Sequence, residues 1–161
     1  MNLPDGLLAL LRQSSLCYLA TSMPDGSPQL TQTWVSTDGE HILINTPDHS
    51  QKARNVARDP RVAVNVVDPG NTRRYFAVRG RVIATTTEGG AQSIDEISGK
   101  YLGRPYPNFS GRPETRMIMT IEADSVRGMG ALAACRARRP RTRRCGPSAL
   151  STLSGLCLSD G

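Results

Sequence analysis

The run NTPDHSQKARNVARDPRVAVNV, from Asn45 to Val66, reads as the end of a strand, a polar turn, a short basic helix stopped by proline, and a second strand. The helix is assigned to Gln51–Arg58, because Pro60 keeps the residue before it out of the helical region. Asp48 and Ser50 are the candidate N-caps. Lys52 falls in the first turn, where unpaired N–H groups and the helix dipole disfavour a cation by ~0.3–1 kcal/mol. A phosphate bound at that turn removes the conflict, since Ser50 and the following amides can donate to its oxygens. A plainer reading stands beside it: Lys52, Arg54, Asn55 and Arg58 as the solvated face of a surface helix, with Ala53 and Val56 packing inward.

Working outward, Pro4 to Gln13 fits a short helix that packs Leu7, Leu8, Leu10 and Leu11 against the body. Leu16–Thr21 and Gln29–Ser36 flank an Asp25-Gly26 turn, and Ser36 and His41 flank Asp38-Gly39. Three strands, the third His41–Thr46, are expected as an antiparallel meander. Arg61–Val67 follows the basic helix, with Val62, Val64 and Val66 on one face. A turn through Asp68, Pro69, Gly70 and Asn71 leads to a long strand, Tyr75–Thr86. Gly89–Leu102 returns to helical spacing, with Gly103 as C-cap, and after a loop from Arg104 to Glu114 the alternation of Met117–Glu122 closes the sheet. Six or so antiparallel strands with peripheral helices predict a mainly β (α+β) chain forming a small barrel.

Composition divides the chain at residue 130. Residues 131–161 hold six arginines against one acid, Asp160, and so supply +5 of the formal +6. They carry no periodicity and are expected to be a disordered Arg-rich tail, either a natural extension or a translated out-of-frame or vector-derived end, behind a domain of residues 1–130. The body is close to neutral and the whole chain has seven aromatics, which argues against a nucleic-acid module. Four cysteines at these spacings form neither a disulfide framework nor a zinc site, and no metal is expected. The N-terminal LLALL run lacks the features of a signal peptide and no stretch has the length of a bilayer span, so a cytoplasmic protein without membrane contact is expected.

Several residues carry chemistry in more than one reading. Gln32 lies between Leu30 and Trp34 on one strand face: either an edge-strand amide bonded to water or backbone, or an amide that reads the polar edge of a planar heterocycle. Trp34, the only tryptophan, is core or interface packing, or a stacking platform. Tyr75, Ala77, Arg79 and Arg81 share a face that meets solvent or an acidic ligand, and Gly80 weakens its strand unless the strand bends there or something approaches closely. His49 beside the basic helix is read as a solvated turn residue. No Ser-His-Asp set, Walker loop or G-x-G-x-x-G run is present, so any chemistry is assigned to a cofactor and no catalytic side chain is named.

Four blocks together resemble a known family: LATSMPDGSPQLTQTWVSTDG, NT…KARNVARDPRVAVNVVDP, YFAVRGRV and IDEISGKYLGRPYP. They are similar to the pyridoxamine 5′-phosphate oxidase-like split β-barrel superfamily, with an FMN-binding-like fold. Within it they resemble the coenzyme F420-dependent oxidoreductases of the flavin/deazaflavin oxidoreductase B group. The resemblance covers residues 4 to 130. It implies a homodimer with each cofactor in a groove between two barrels. It also implies that Lys52 and Arg54, with Asn55 beside them, face the cofactor phosphate near Ser50. Gln32, Thr33, Trp34 and Thr46 would line the tricyclic ring, and Arg79 and Gly80 would border the groove.

Where true pyridoxamine phosphate oxidases carry S-R-K, this chain has Ser50-Gln51-Lys52, and their terminal arginine-containing motif is not recognisable, so pyridoxal phosphate synthesis is set aside. The implied activity is an F420H2-dependent reductase passing a hydride to an activated double bond of a small molecule, with solvent, Tyr101 or Tyr106 supplying the proton. The alternatives are an FMN-dependent oxidoreductase of the same fold and a non-catalytic binder of flavin, deazaflavin or tetrapyrrole.

Overall fold

Seven antiparallel strands and three helices account for residues 1–130, the part of the chain that the structure, a computed structural model, describes; the 131–161 tail lies outside the described residues. In chain order the elements are α1 (Asp5–Arg12), β1 (Leu16–Ser22), β2 (Pro28–Thr33), β3 (Ser36–Thr37), β4 (Ile42–Pro47), α2 (Gln51–Arg58), β5 (Arg61–Val67), β6 (Tyr75–Thr86), α3 (Gly90–Leu102) and β7 (Arg116–Met129). The strands form one sheet in the order β2-β1-β5-β6-β7-β4-β3. Its two edge strands, β2 and β3, are consecutive in the chain and separated only by Trp34 and Val35. The sheet therefore curls until its edges meet through covalent connection, and the result is the expected split barrel, with seven strands.

Alternation along each strand fills the barrel. Cys17 and Leu19, Ile42 and Ile44, Val62, Val64 and Val66, Phe76 and Val78, and Met119 and Ile121 point inward and are buried. An eight-residue helix such as α1 is too short to persist alone. Here Leu7, Leu10 and Leu11 are fully buried in the same core, and each buried leucine contributes about 1.5–3 kcal/mol relative to exposure. No helix among the described residues is long and apolar enough to cross a membrane.

The meander is corrected. Thr33 is the last partner of Cys17, Ser36 is the first partner of Leu43, and β2 does not pair with β4. Both turns expected in this region are present, but the stretch Gln29–Ser36 is broken at Trp34–Val35 and its two pieces serve opposite edges of the sheet. Pairing with β1 ends at Thr33 and pairing with β4 begins at Ser36, so no residue of this stretch pairs on both sides and the barrel stays open between β2 and β4. Leu30 is 67% exposed as a result, and Gln32 is exposed rather than set between buried apolar neighbours.

The last strand runs to Met129, well beyond Glu122, because its polar second half pairs with the first half of β6. Register shifts between Arg79 and Gly80 and between Val82 and Ala84 let these long strands bend. At Gly80 a Cβ would lie 2.1 Å from the Glu122 carbonyl oxygen, so a close approach of backbone requires the glycine.

Candidate functional site

The register of β3 on β4, Ser36 to Leu43 and Thr37 to Ile42, would set Trp34 opposite Asn45 and Thr33 opposite Thr46 if it continued. Instead β2 turns away to join β1, and the gap it leaves is a cleft of about 430 Å³. Gln32, Thr33 and Trp34 line one side and Asn45 and Arg116 the other, with Ile94, Tyr106 and Phe109 completing the walls. A cleft of this size with apolar walls and a few convergent polar groups has the character of a small-molecule site.

The aromatic wall is a cluster. Trp34 stacks on Tyr101 with centroids 5.1 Å apart and planes 14° apart, and it meets Tyr106 and Phe109 edge-on at 6.1 and 6.2 Å. Phe109, at the rim, is 69% exposed.

Arg116 forms the polar wall. Its Nε donates to Asn45 Oδ1 at 2.8 Å, its Nη1 to Glu114 Oε2 at 3.1 Å, and its guanidinium lies 4.9 Å from the centre of the Tyr106 ring. Asn45 Nδ2 donates to the carbonyl of Gly90, at the start of α3. A Cβ on Gly90 would sit 2.0 Å from the Arg116 carbonyl oxygen, so α3 reaches this depth only because that residue is glycine.

Beyond Asn45 the chain enters α2. Ser50, not Asp48, is the cap: its Oγ accepts from the Ala53 amide at 3.3 Å and lies 3.1 Å from Thr46 Oγ1. Lys52 is half-buried, and no carboxylate pairs with it among the described residues. Burial first, and the neighbouring Arg116 second, hold its ammonium below the ordinary lysine range. The helix start adds a third unfavourable contribution to that charge. The attraction of a bound anion would oppose all three, so Lys52, Ser50 and the α2 amides form a candidate anion site next to the cleft.

The remaining sequence-derived residues lie elsewhere. Asn55 is fully buried; it donates to Thr21 Oγ1 at 2.9 Å and Gln29 Oε1 at 3.1 Å and accepts from Gln51 Nε2 at 2.9 Å. Its polar atoms are committed to fastening α2 onto the β1–β2 hairpin. Arg54 is exposed and donates to the His49 carbonyl and to Gln51 Oε1, beside a separate groove that includes Ile83 and Met117. Arg79 and Gly80 border another depression, which includes Ala20 and Asp124, and do not line the cleft. Arg81, on the same strand face as Arg79, is paired with Glu122 and Asp124 at 3.0 and 3.2 Å.

Sequence reasoning did not single out Asn45, Arg116 or Phe109. For Asn45 a signal exists, since an amide inside the apolar run ILINT must find partners when buried. Arg116 gives none, because its importance comes from strand pairing across 71 residues of separation.

Residues 3–130 match the family model described as pyridoxamine 5′-phosphate oxidase. A solved structure described as an F420 reductase is 30% identical, with a TM-score of 0.66, over 78% of this chain and 98% of that one. A conserved hypothetical protein from Mycobacterium tuberculosis is 26% identical, with a TM-score of 0.62, over 79% and 84% of the two chains. General stress protein 26 from Bacillus anthracis, 16% identical over 80% of this chain and 95% of that one with a TM-score of 0.59, shares the fold.

Proposed function

Because the chain belongs to the pyridoxamine 5′-phosphate oxidase family, we propose that it is an oxidoreductase using the deazaflavin F420 in its reduced form to reduce an activated double bond of a small molecule. The observation that carries this reading is Lys52, a half-buried cation without a carboxylate partner among the described residues, at a helix start beside an aromatic cleft. That arrangement fits a planar ring system bearing a phosphate. The similarity to an F420 reductase favours the deazaflavin over other ring systems.

In this reading Lys52, Ser50 and the first amides of α2 hold the phosphate. Gln32, Thr33 and Trp34 flank the ring, with Thr46 behind Ser50. When bound, the reduced deazaflavin supplies the hydride for the double bond. Trp34, Tyr106 and Phe109 exclude water from the reacting face and orient the acceptor. The Tyr101 hydroxyl proton is committed to the Ser15 carbonyl at 2.7 Å, and burial pushes that phenol up to about 12. Tyr106, which lines the cleft, is the better placed of the two candidate proton donors.

A second copy is inferred to cover the outer sheet face. There Leu30, Ala20, Ala63 and Arg79 lie side by side across four strands, and Asn65 Oδ1 is buried with no protein partner among the described residues. A dimer mass by light scattering checks this, and a monomer at tens of micromolar would refute it.

FMN shares the phosphate and the planar ring, so the test uses both cofactors. Purified protein is titrated with F420 and with FMN, following the fluorescence of each. Tight F420 binding with weak FMN binding supports the proposal. Preference for FMN makes the protein a flavin enzyme, and binding of neither removes the cofactor reading.

A further inference from the structure

Val35 lies in the two-residue joint between β2 and β3, is fully buried, and is the partner of no strand residue. The buried backbone N–H and C=O of a residue each need a hydrogen-bond partner. Here α3 supplies both. Tyr101 Oη accepts from the Val35 amide at 3.3 Å, and Lys100 Nζ donates to the Val35 carbonyl.

Each of these side chains holds a second carbonyl as well. Tyr101 Oη donates to Ser15 O at 2.7 Å, and Lys100 Nζ donates to Leu11 O at 2.8 Å. Leu11 and Ser15 flank the turn from α1 into β1, so the joint, that turn and the end of α3 are pinned together by two adjacent residues. The Leu11 carbonyl is at a helix C-terminus, where a cation is favoured. The ring of Tyr101 then lies flat against Trp34, the residue next to the pinned peptide.

We propose that Lys100 and Tyr101 are positioning residues for the cleft: by holding the Val35 N–H and C=O, one on each of the two peptide groups that flank Val35, they fix the direction in which Trp34 leaves the backbone, and so the width of the slot open to a planar ligand. The chain at this point changes partners from β1 to β4 within two residues, and no ladder bond resists rotation of the two peptide groups that flank Val35. With the Val35 amide and carbonyl released, Trp34 is free to tilt toward Tyr106 and Phe109, 6.1 and 6.2 Å away, and narrow the slot. The effect on cofactor binding rests on the proposal that the cleft receives F420 or FMN. The effect on Trp34 itself does not.

Tyr101→Phe in the full chain retains the stacked ring and removes both hydroxyl hydrogen bonds. Because Trp34 is the only tryptophan, its emission reads the joint directly. The expected result is a changed emission maximum and greater acrylamide quenching in the ligand-free protein, unchanged far-ultraviolet circular dichroism, and F420 affinity weakened roughly 3–10-fold. Lys100→Met, which keeps the aliphatic stem and loses both donors, is expected to do the same and serves if Tyr101→Phe does not fold. Asn55→Ala, a buried polar change outside the joint, is expected to lower stability without moving the Trp34 signal. Wild-type emission and quenching in a folded Tyr101→Phe or Lys100→Met protein would overturn the proposal. If the wild type binds neither cofactor, the cofactor reading falls while the Trp34 signal still decides the positioning role.

Discussion

The side-chain oxygen of Asn45 accepts from Arg116 Nε at 2.8 Å while its amide donates to the Gly90 carbonyl at 2.8 Å, so one residue joins β4, β7 and α3 beneath the cleft. Asn45→Ala strands both partners in a buried setting. The expected cost is about 1–3 kcal/mol of folding stability, read from urea unfolding midpoints. Cofactor affinity is expected to fall too, because Arg116 loses the bond that orients it in the cleft wall. A variant with wild-type stability would mean that water replaces both hydrogen bonds and the junction is not structural.

Lys52→Ala separates function from stability by sign. Removing a charge-assisted hydrogen bond to a phosphate is expected to weaken cofactor binding by ~1.5–3 kcal/mol. Folding stability of the ligand-free protein is expected to hold or rise, because the charge removed is opposed by burial, by Arg116 and by the helix start. Titration and urea unfolding on the same preparation test both halves. Unchanged affinity returns Lys52 to an ordinary surface residue.

Asn55 is expected to behave in the opposite way. Asn55→Ala leaves Thr21, Gln29 and Gln51 without their shared partner, at a cost of about 1–3 kcal/mol in stability. Affinity per folded molecule is expected to stay near wild type, since no polar atom of Asn55 is free to meet a ligand. A large loss of affinity with intact stability would restore the direct cofactor role that the family resemblance implies.

The contrast between Lys52 and Asn55 marks what could be read from the chain. Local signals located the elements well: Pro60 ended α2, Asp25-Gly26 and Asp38-Gly39 made the hairpin turns, and alternating valines placed β5. They also brought Ser50 and Lys52 to one helix start. What they could not supply was partner choice. Gln29–Ser36 reads as one strand because alternation says nothing about which neighbour each half pairs with, and the split that makes the cleft is a consequence of that division. For the same reason Arg116 was missed and Asn55, three residues from Lys52, pointed into the protein.

Gly80→Ala tests the bend in β6. The added Cβ would meet Glu122 O at 2.1 Å and Ala123 Cα at 3.2 Å, both backbone atoms of the paired strand. Relief requires the β6–β7 register to move, so a loss of about 1–3 kcal/mol is expected, comparable to overpacking a core. Hydrogen exchange is expected to quicken first around Arg79–Val82 and Glu122–Ser125. Uniform protection would show that the bend accommodates a side chain.

The α3 clasp also sets an alkaline signature, because three neighbouring groups titrate with opposing effects. Burial pushes the Lys100 ammonium down to about 8, from an ordinary 10.5. The unfolded chain therefore binds more protons across that window, and stability from this group is lost as pH falls toward 8 and fully present above 10.5. Cys17 and Tyr101 act the other way. Burial raises both to about 12, from 9.0 and 10.0, so their contributions are complete below those ordinary values and are lost as pH climbs toward 12. Stability from this cluster is expected to rise from about pH 8, level off near pH 9, and fall beyond about pH 10, more steeply above about pH 10.5. Urea midpoints for wild type, Lys100→Met and Cys17→Ala test the assignment. The lysine variant is expected to lose the rise between about pH 8 and 9, and the cysteine variant to soften the alkaline fall. A wild-type midpoint that stays flat to about pH 9 and falls from there would mean that the two carbonyls around Lys100 hold its proton more firmly than burial removes it.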